Sequence, residues 1–194
     1  MFSLLPALDQ QYVAAVTHTG TQKGGAMSTA LSPQAAATSA LEPFTGPDEA
    51  VLTPIDPVVV ARQLGINVYS SALPADVSGY IVKRAASSAP DIFLNSEHSP
   101  VRQRFTCAHE LGHYFAILNK GANAPDTYVF KRDALASCGI DNSEIYANQF
   151  AANLLMPESV VRDLVSQGLD VIEVARELHV SVDAMSHRMR NLGL

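Results

Sequence analysis

Ser99-Pro100-Val101-Arg102-Gln103-Arg104-Phe105-Thr106-Cys107-Ala108-His109-Glu110-Leu111-Gly112-His113 opens the way a helix opens, with a serine and then a proline. A serine side chain can accept a backbone N–H at the first turn, and proline suits the first helical position. Apolar residues recur at helical spacing through Phe105, Ala108, Leu111 and Phe115, so the segment predicts a helix reaching about Leu118. Inside it lies His109-Glu110-Leu111-Gly112-His113, the pattern HExxH. Positions i and i+4 share one helix face, so both imidazoles can reach a single ion about 2.0–2.1 Å from each nitrogen. Glu110 falls about 100° round the helix from His109. That angle puts its carboxylate beside the ion rather than on it, where it can take a proton from an attacking water. The bland alternative is a solvated face carrying two histidines. The independent cap and the apolar flanks argue against it.

A catalytic zinc needs a third protein ligand and an open position. Downstream candidates are Asp126, Asp133, Asp141, Glu144, His179 and His187. Glu144 is best placed, because it opens a second predicted helix, from near Asp141 to just before Pro157, that carries Asn148 one turn later. A carboxylate facing the two histidines can close the site, and Asn148 on the same face can accept a free imidazole N–H and so orient the ring. Asp141-x-x-Glu144 also fits a capping box, with Asp141 as the cap. Spacing alone leaves both readings open.

Outward from these two helices the pattern is mixed. Thr53 and Asp56 are candidate caps with Pro54 and Pro57 beside them, and the short helix that follows stops at Gly65. Ile66–Tyr69, Gly79–Lys83 and Asp91–Asn95 predict strands of a small, mostly antiparallel sheet. Asp91–Asn95, close before the metal helix, is a candidate edge for pairing with an extended polypeptide. Residues 119–140 read as a long surface loop or lid, with Tyr128 a conceivable oxyanion donor that no spacing supports. Residues 158–194 form three short helical pieces resembling a helix-turn-helix arrangement. With four Arg, no Lys and six acidic residues, they lack the positive charge for phosphate contacts. Packing on the core or docking a protein is the better reading. The expected fold is therefore α+β, a small sheet packed on helices with a zincin-like active-site helix.

Composition bounds the rest. The chain has 194 residues, 47% hydrophobic and 16% charged, with a formal charge of −6, which excludes global disorder and a nucleic-acid-neutralising surface. No apolar run approaches the roughly 20 residues a membrane helix needs. Two cysteines, Cys107 and Cys138, are too few for a disulfide framework and point to a cytoplasmic protein. More than half of residues 1–50 are Ala, Ser, Thr, Gly or Pro, and this stretch reads as a low-complexity leader or arm. Translation beginning at Met27 is a second reading of that stretch. The catalytic core then spans 51–157 and a C-terminal helical segment 158–194.

Arg102–His113, followed by Glu144-Ile145-Tyr146-Ala147-Asn148-Gln149-Phe150-Ala151-Ala152-Asn153-Leu154-Leu155-Met156-Pro157, strongly resembles the ImmA/IrrE family of zinc metallopeptidases. The likeness extends from about residue 54 to the end and includes Ser78-Gly79-Tyr80-Ile81 and Arg188–Leu194. It implies His109, His113 and Glu144 as zinc ligands and Glu110 as general base. It further implies a protein substrate, a helix-turn-helix repressor cleaved to release phage, mobile-element or stress genes. Manganese is compatible with the same ligands. Two positions depart from the family pattern, Cys107 in place of an aliphatic residue and Tyr146 in place of a frequent acidic one. A rival reading is a non-catalytic zinc protein that binds and antagonises a repressor. A DNA-binding regulator is the other, and neither DNA nor membrane is an expected partner.

Overall fold

The computed structural model describes residues 30–46, 51–133 and 142–194. Among them are seven α-helices and one four-stranded sheet, an α+β architecture. Helix α1 covers Pro33–Leu41 and α2 covers Pro57–Gln63. Strands β1 (Asn67–Ser71), β2 (Val77–Lys83) and β3 (Asp91–Asn95) follow, then α3 (Pro100–Leu118) and β4 (Tyr128–Asp133). The remainder is helical: α4 (Asn142–Leu155), α5 (Glu158–Ser166), α6 (Val171–Glu177) and α7 (Val182–Leu192).

The sheet runs β1-β3-β2-β4, antiparallel except where β1 joins β3 in parallel. Val68, Ile92, Ile81 and Phe130 stand in register across all four strands, and this row faces α3. Ile81 and Ile92 are fully buried beneath the helix. Gly79 shows how closely sheet and helix approach. A Cβ there would stand 2.6 Å from the Thr106 methyl and 2.7 Å from the Phe93 carbonyl oxygen, so only a bare α-carbon fits. Tyr69, Phe93 and Tyr80 form the opposite row, stacked with ring centroids 5.2 and 4.9 Å apart.

Local signals hold where caps and periodicity agree. Ser99 accepts the Arg102 N–H at 3.4 Å and α3 ends at Leu118, as the spacing predicts. Asp56 caps α2 through the Val58 N–H at 2.9 Å. Asp170 and Glu173 form a capping box on α6, and Ser181 caps α7. The three C-terminal helices share the hydrophobic core through Val161, Val174, Leu178 and Met185. Arg188 ties α7 to α4 by donating to the Met156 carbonyl at 3.0 Å and to Asn153 Oδ1 at 2.9 Å.

Three expectations need correction. Within the predicted arm, residues 33–41 form a helix whose Ala36, Ala37, Ala40 and Leu41 are buried against the core. Small side chains carry little hydrophobic signal each, yet they let two helices approach closely. Residues 1–29, including the Met27 reading, lie outside the described residues. The predicted 119–140 loop contains a fourth strand, because β4 pairs with β2 from Tyr128 opposite Lys83 to Asp133 opposite Val77. Asp91–Asn95 is not an edge: β3 is flanked by β1 and β2, which leaves β1 and β4 as the outer strands.

Candidate metal centre

α3 packs on the sheet and α4 packs against α3, and the facing sides of the two helices carry the candidate site. His109 and His113 lie one turn apart on α3, and both are buried. Glu144, in the first turn of α4, reaches across to them. One carboxylate oxygen lies 3.0 Å from His113 Nε2 and the other 3.3 Å from His109 Nε2. The two Nε2 atoms are themselves 3.0 Å apart. Two imidazole lone pairs at that separation repel unless a cation or proton lies between them. Tetrahedral bonds of about 2.0–2.1 Å would set neighbouring ligand atoms roughly 3.3–3.4 Å apart, within a few tenths of what is observed. The donor set of two neutral nitrogens and one carboxylate is of the kind catalytic zinc takes. Among the described residues, these three are the group of His, Cys, Asp and Glu side chains disposed to hold a metal ion.

The surroundings fix the donors. Asn148 Oδ1 lies 3.0 Å from His109 Nδ1. An amide oxygen can only accept, so this contact favours a donor at Nδ1, the arrangement in which Nε2, on the Glu144 side, can offer its lone pair to a cation. The Phe130 ring stacks on His113 with centroids 4.9 Å apart and planes 14° from parallel, bringing β4 directly beside the centre. Glu110 is fully buried on the same turn of α3 as His109. The Glu144 side chain is 22% exposed, so the centre opens to solvent on that side.

Other sequence candidates fall elsewhere. Asp126 is exposed ahead of β4. His179 is exposed at the end of α6, at a positive φ of 54°, and its carbonyl accepts from Arg104 at 3.3 Å. His187 lies on the exposed side of α7, 3.8 Å from Asp183. Asp141, and with it the capping-box reading of Glu144, lies outside the described residues, as does Cys138; the side chain of Asp133 is likewise not described. Cys107 is fully buried, and burial pushes its thiol well above the ordinary range, leaving an inert packing group. Burial also pushes the Tyr128 phenol up to about 12. Its ring centroid lies 6.0 Å from that of Phe130.

Residues 61–190 match the model of the Peptidase_M78 family, the IrrE N-terminal-like domain. The chain belongs to that family. The match runs from α2 through α7, so the IrrE-like unit takes in the sheet, both site helices and the C-terminal helices, while α1 precedes it. The chain is also similar to an uncharacterized immunity region protein 2 of Bacillus phage phi105, 34% identical over 106 residues. That alignment covers 55% of this chain and 61% of the phage protein, so the chain spans about three fifths of that relative's length.

Sequence reasoning passed over three features of this IrrE-like centre. Phe130 was legible only as part of a short β-branched and aromatic run, Thr127–Phe130, with no sign that its ring would cover a histidine. Tyr146 and Asn119 turn inward to grip the backbone before α1: Asn119 pairs with both the N–H and the carbonyl of Leu31, at 3.0 and 2.9 Å. The Tyr146 hydroxyl accepts from Asn119 at 3.0 Å and donates to the same carbonyl at 3.1 Å. The third feature is the bare α-carbon of Gly112, against which the Ala147 backbone packs.

Proposed function

We propose that this protein is a zinc-dependent endopeptidase that cleaves a helix-turn-helix transcriptional repressor, relieving repression of phage, mobile-element or stress genes. The observation that carries the reading is the convergence of His109 Nε2, His113 Nε2 and the Glu144 carboxylate within 3.0–3.3 Å, with Glu110 buried on the same turn. His109, His113 and Glu144 would hold the ion. Bound there, zinc supplies Lewis-acid polarisation of a carbonyl and a water of lowered pKa. Glu110 acts as general base, taking a proton from the attacking water and returning it to the leaving amine. Asn148 keeps the His109 ring in the required tautomer. Family membership supports the peptidase class, and the phage immunity-region relative supports a repressor as substrate.

The position of β4 supports an extended polypeptide as the ligand. It is an outer strand whose Phe130 covers His113, and Val129 on it is 57% exposed. A substrate backbone pairing with β4 would run past the open side of the centre. No helix among the described residues is long and apolar enough to cross a membrane, and the reading places the enzyme in the cytoplasm with its repressor.

Native mass spectrometry of wild type, Glu110→Ala and Glu144→Ala, beside a cleavage assay on repressors encoded near its gene, tests this. One zinc per chain in the first two, none in the third, and cleavage by wild type alone is expected. Absence of zinc in the wild type after re-addition of the metal overturns the reading. Derepression retained by Glu110→Ala replaces cleavage with binding.

A further inference from the structure

α3 meets the backbone of α4 where Gly112 packs against Ala147. A Cβ on Gly112 would stand 2.6 Å from the Ala147 α-carbon and 2.9 Å from its carbonyl oxygen. Both are backbone atoms, so no change of rotamer relieves the overlap. Gly112 has no positive φ to explain its identity. A glycine in mid-helix costs stability relative to alanine, so the space, and not the local backbone, is what calls for it.

The place of this crossing matters. Gly112 stands three residues after His109 and one before His113, while Ala147 stands three after Glu144 and one before Asn148. Every group that faces the centre from either helix is therefore within one turn of the contact. We propose that Gly112 is the spacer of the metal centre, a positioning residue whose missing side chain holds α4 close enough for Glu144 and Asn148 to reach the histidines. The proposal rests on the metal-binding reading above. Carbon atoms in contact sit about 3.5–4.0 Å apart, so a methyl group at Gly112 drives the helices apart by roughly 1 Å. Metal–ligand distances tolerate only about 0.2 Å. The same displacement stretches the 3.0 Å Asn148–His109 hydrogen bond beyond hydrogen-bond length. One added carbon thus disturbs a ligand and the group that orients another.

The test is zinc affinity of the full chain, measured by competition with a chromophoric chelator, together with the visible spectrum of the cobalt-loaded protein. Gly112→Ala is expected to keep its helical circular dichroism, bind zinc at least ~10-fold more weakly, and lose the tetrahedral cobalt bands. Ala147→Gly removes bulk at the same crossing and is expected to stay within about threefold of wild type, under 1 kcal/mol. Should Gly112→Ala fail to fold, Ala147→Ser widens the crossing more gently and is expected to weaken zinc in the same direction. Gly112→Ala, or Ala147→Ser in its place, binding zinc like wild type overturns the spacer, even if the apo-protein melts earlier, since that is the mark of packing alone. Glu144→Ala run alongside separates the two claims. If it binds zinc like wild type, the metal-binding reading falls; if it loses zinc while Gly112→Ala does not, only the spacer falls.

Discussion

Asn148 Oδ1 meets His109 Nδ1 at 3.0 Å, one helical turn beyond Glu144 on the same face of α4. If His109 holds the ion as proposed, this contact would keep the proton on Nδ1 and leave Nε2 free for the cation. Removing it leaves the ring able to adopt the wrong tautomer or to swing. Asn148→Ala is expected to weaken zinc binding by roughly 10–100-fold, the usual cost of losing a group that orients a metal-ligating histidine. Asn148→Asp keeps an acceptor in place and should retain most of the affinity. Chelator competition reads both, and an unchanged affinity in Asn148→Ala would show that the ring is held by packing instead.

Zinc should also act on folding. A ligand that binds only the folded chain stabilises it by about 2.7 kcal/mol at a free concentration 100 times its Kd. For a domain of this size each kcal/mol raises Tm by about 2–4 °C. Zinc addition is therefore expected to raise the melting temperature by roughly 5–10 °C in wild type and Glu110→Ala. Glu144→Ala should melt at one temperature with or without the metal. A zinc-independent melting curve in the wild type would contradict the centre described above.

Burial raises two phenols, Tyr128 to about 12 and Tyr146 in the same direction. In the unfolded chain both ionise near 10. Above that pH the unfolded state sheds protons that the folded state keeps, so ν for the unfolded chain is the smaller and stability falls as pH rises. The contribution is fully present below about pH 10 and is lost towards pH 12. Tyr128→Phe cannot ionise, and its denaturation midpoint should descend less steeply across that interval. An identical descent in the variant would assign the alkaline loss to other groups.

How far the sequence foretold this molecule depended on the kind of signal. His109, Glu110, His113 and the cap at Ser99 were readable because a helix turns chemical spacing into geometry without outside help. Glu144 and Asn148 were readable as one face of a second helix, but their distance from the histidines was not, since that depends on how α3 and α4 cross. Helix α1 escaped notice because alanine-rich packing leaves little periodic hydrophobicity, and its buried residues apart from Leu41 are alanines. Strand order escaped for a different reason. Ile92-Phe93-Leu94 is a short apolar run between Asp91 and Asn95 that does not by itself tell an edge from an inner strand, and only the pairing of β1 and β2 on either side makes it internal.

The clasp on Leu31 makes α1 part of the folded unit. Asn119 satisfies both backbone groups of Leu31 and also donates to the Tyr146 hydroxyl, which shares the Leu31 carbonyl. Tyr146→Phe removes one acceptor and one donor from a network that Asn119 still serves, and is expected to cost about 0.5–1.5 kcal/mol. Asn119→Ala leaves the Leu31 N–H without its acceptor while the phenol keeps its bond to the Leu31 carbonyl, at a cost of about 1–3 kcal/mol. Because the two side chains share a partner, the double variant should lose less than the sum of the singles. Urea denaturation of the four proteins gives these differences directly. If the contact of Gly112 with Ala147 sets the reach of Glu144, as proposed, neither single variant should move zinc affinity more than about threefold, under 1 kcal/mol, because the Tyr146 hydroxyl is directed to Leu31 and not to the histidines. Strict additivity in the cycle would mean that Asn119 and Tyr146 grip the chain independently.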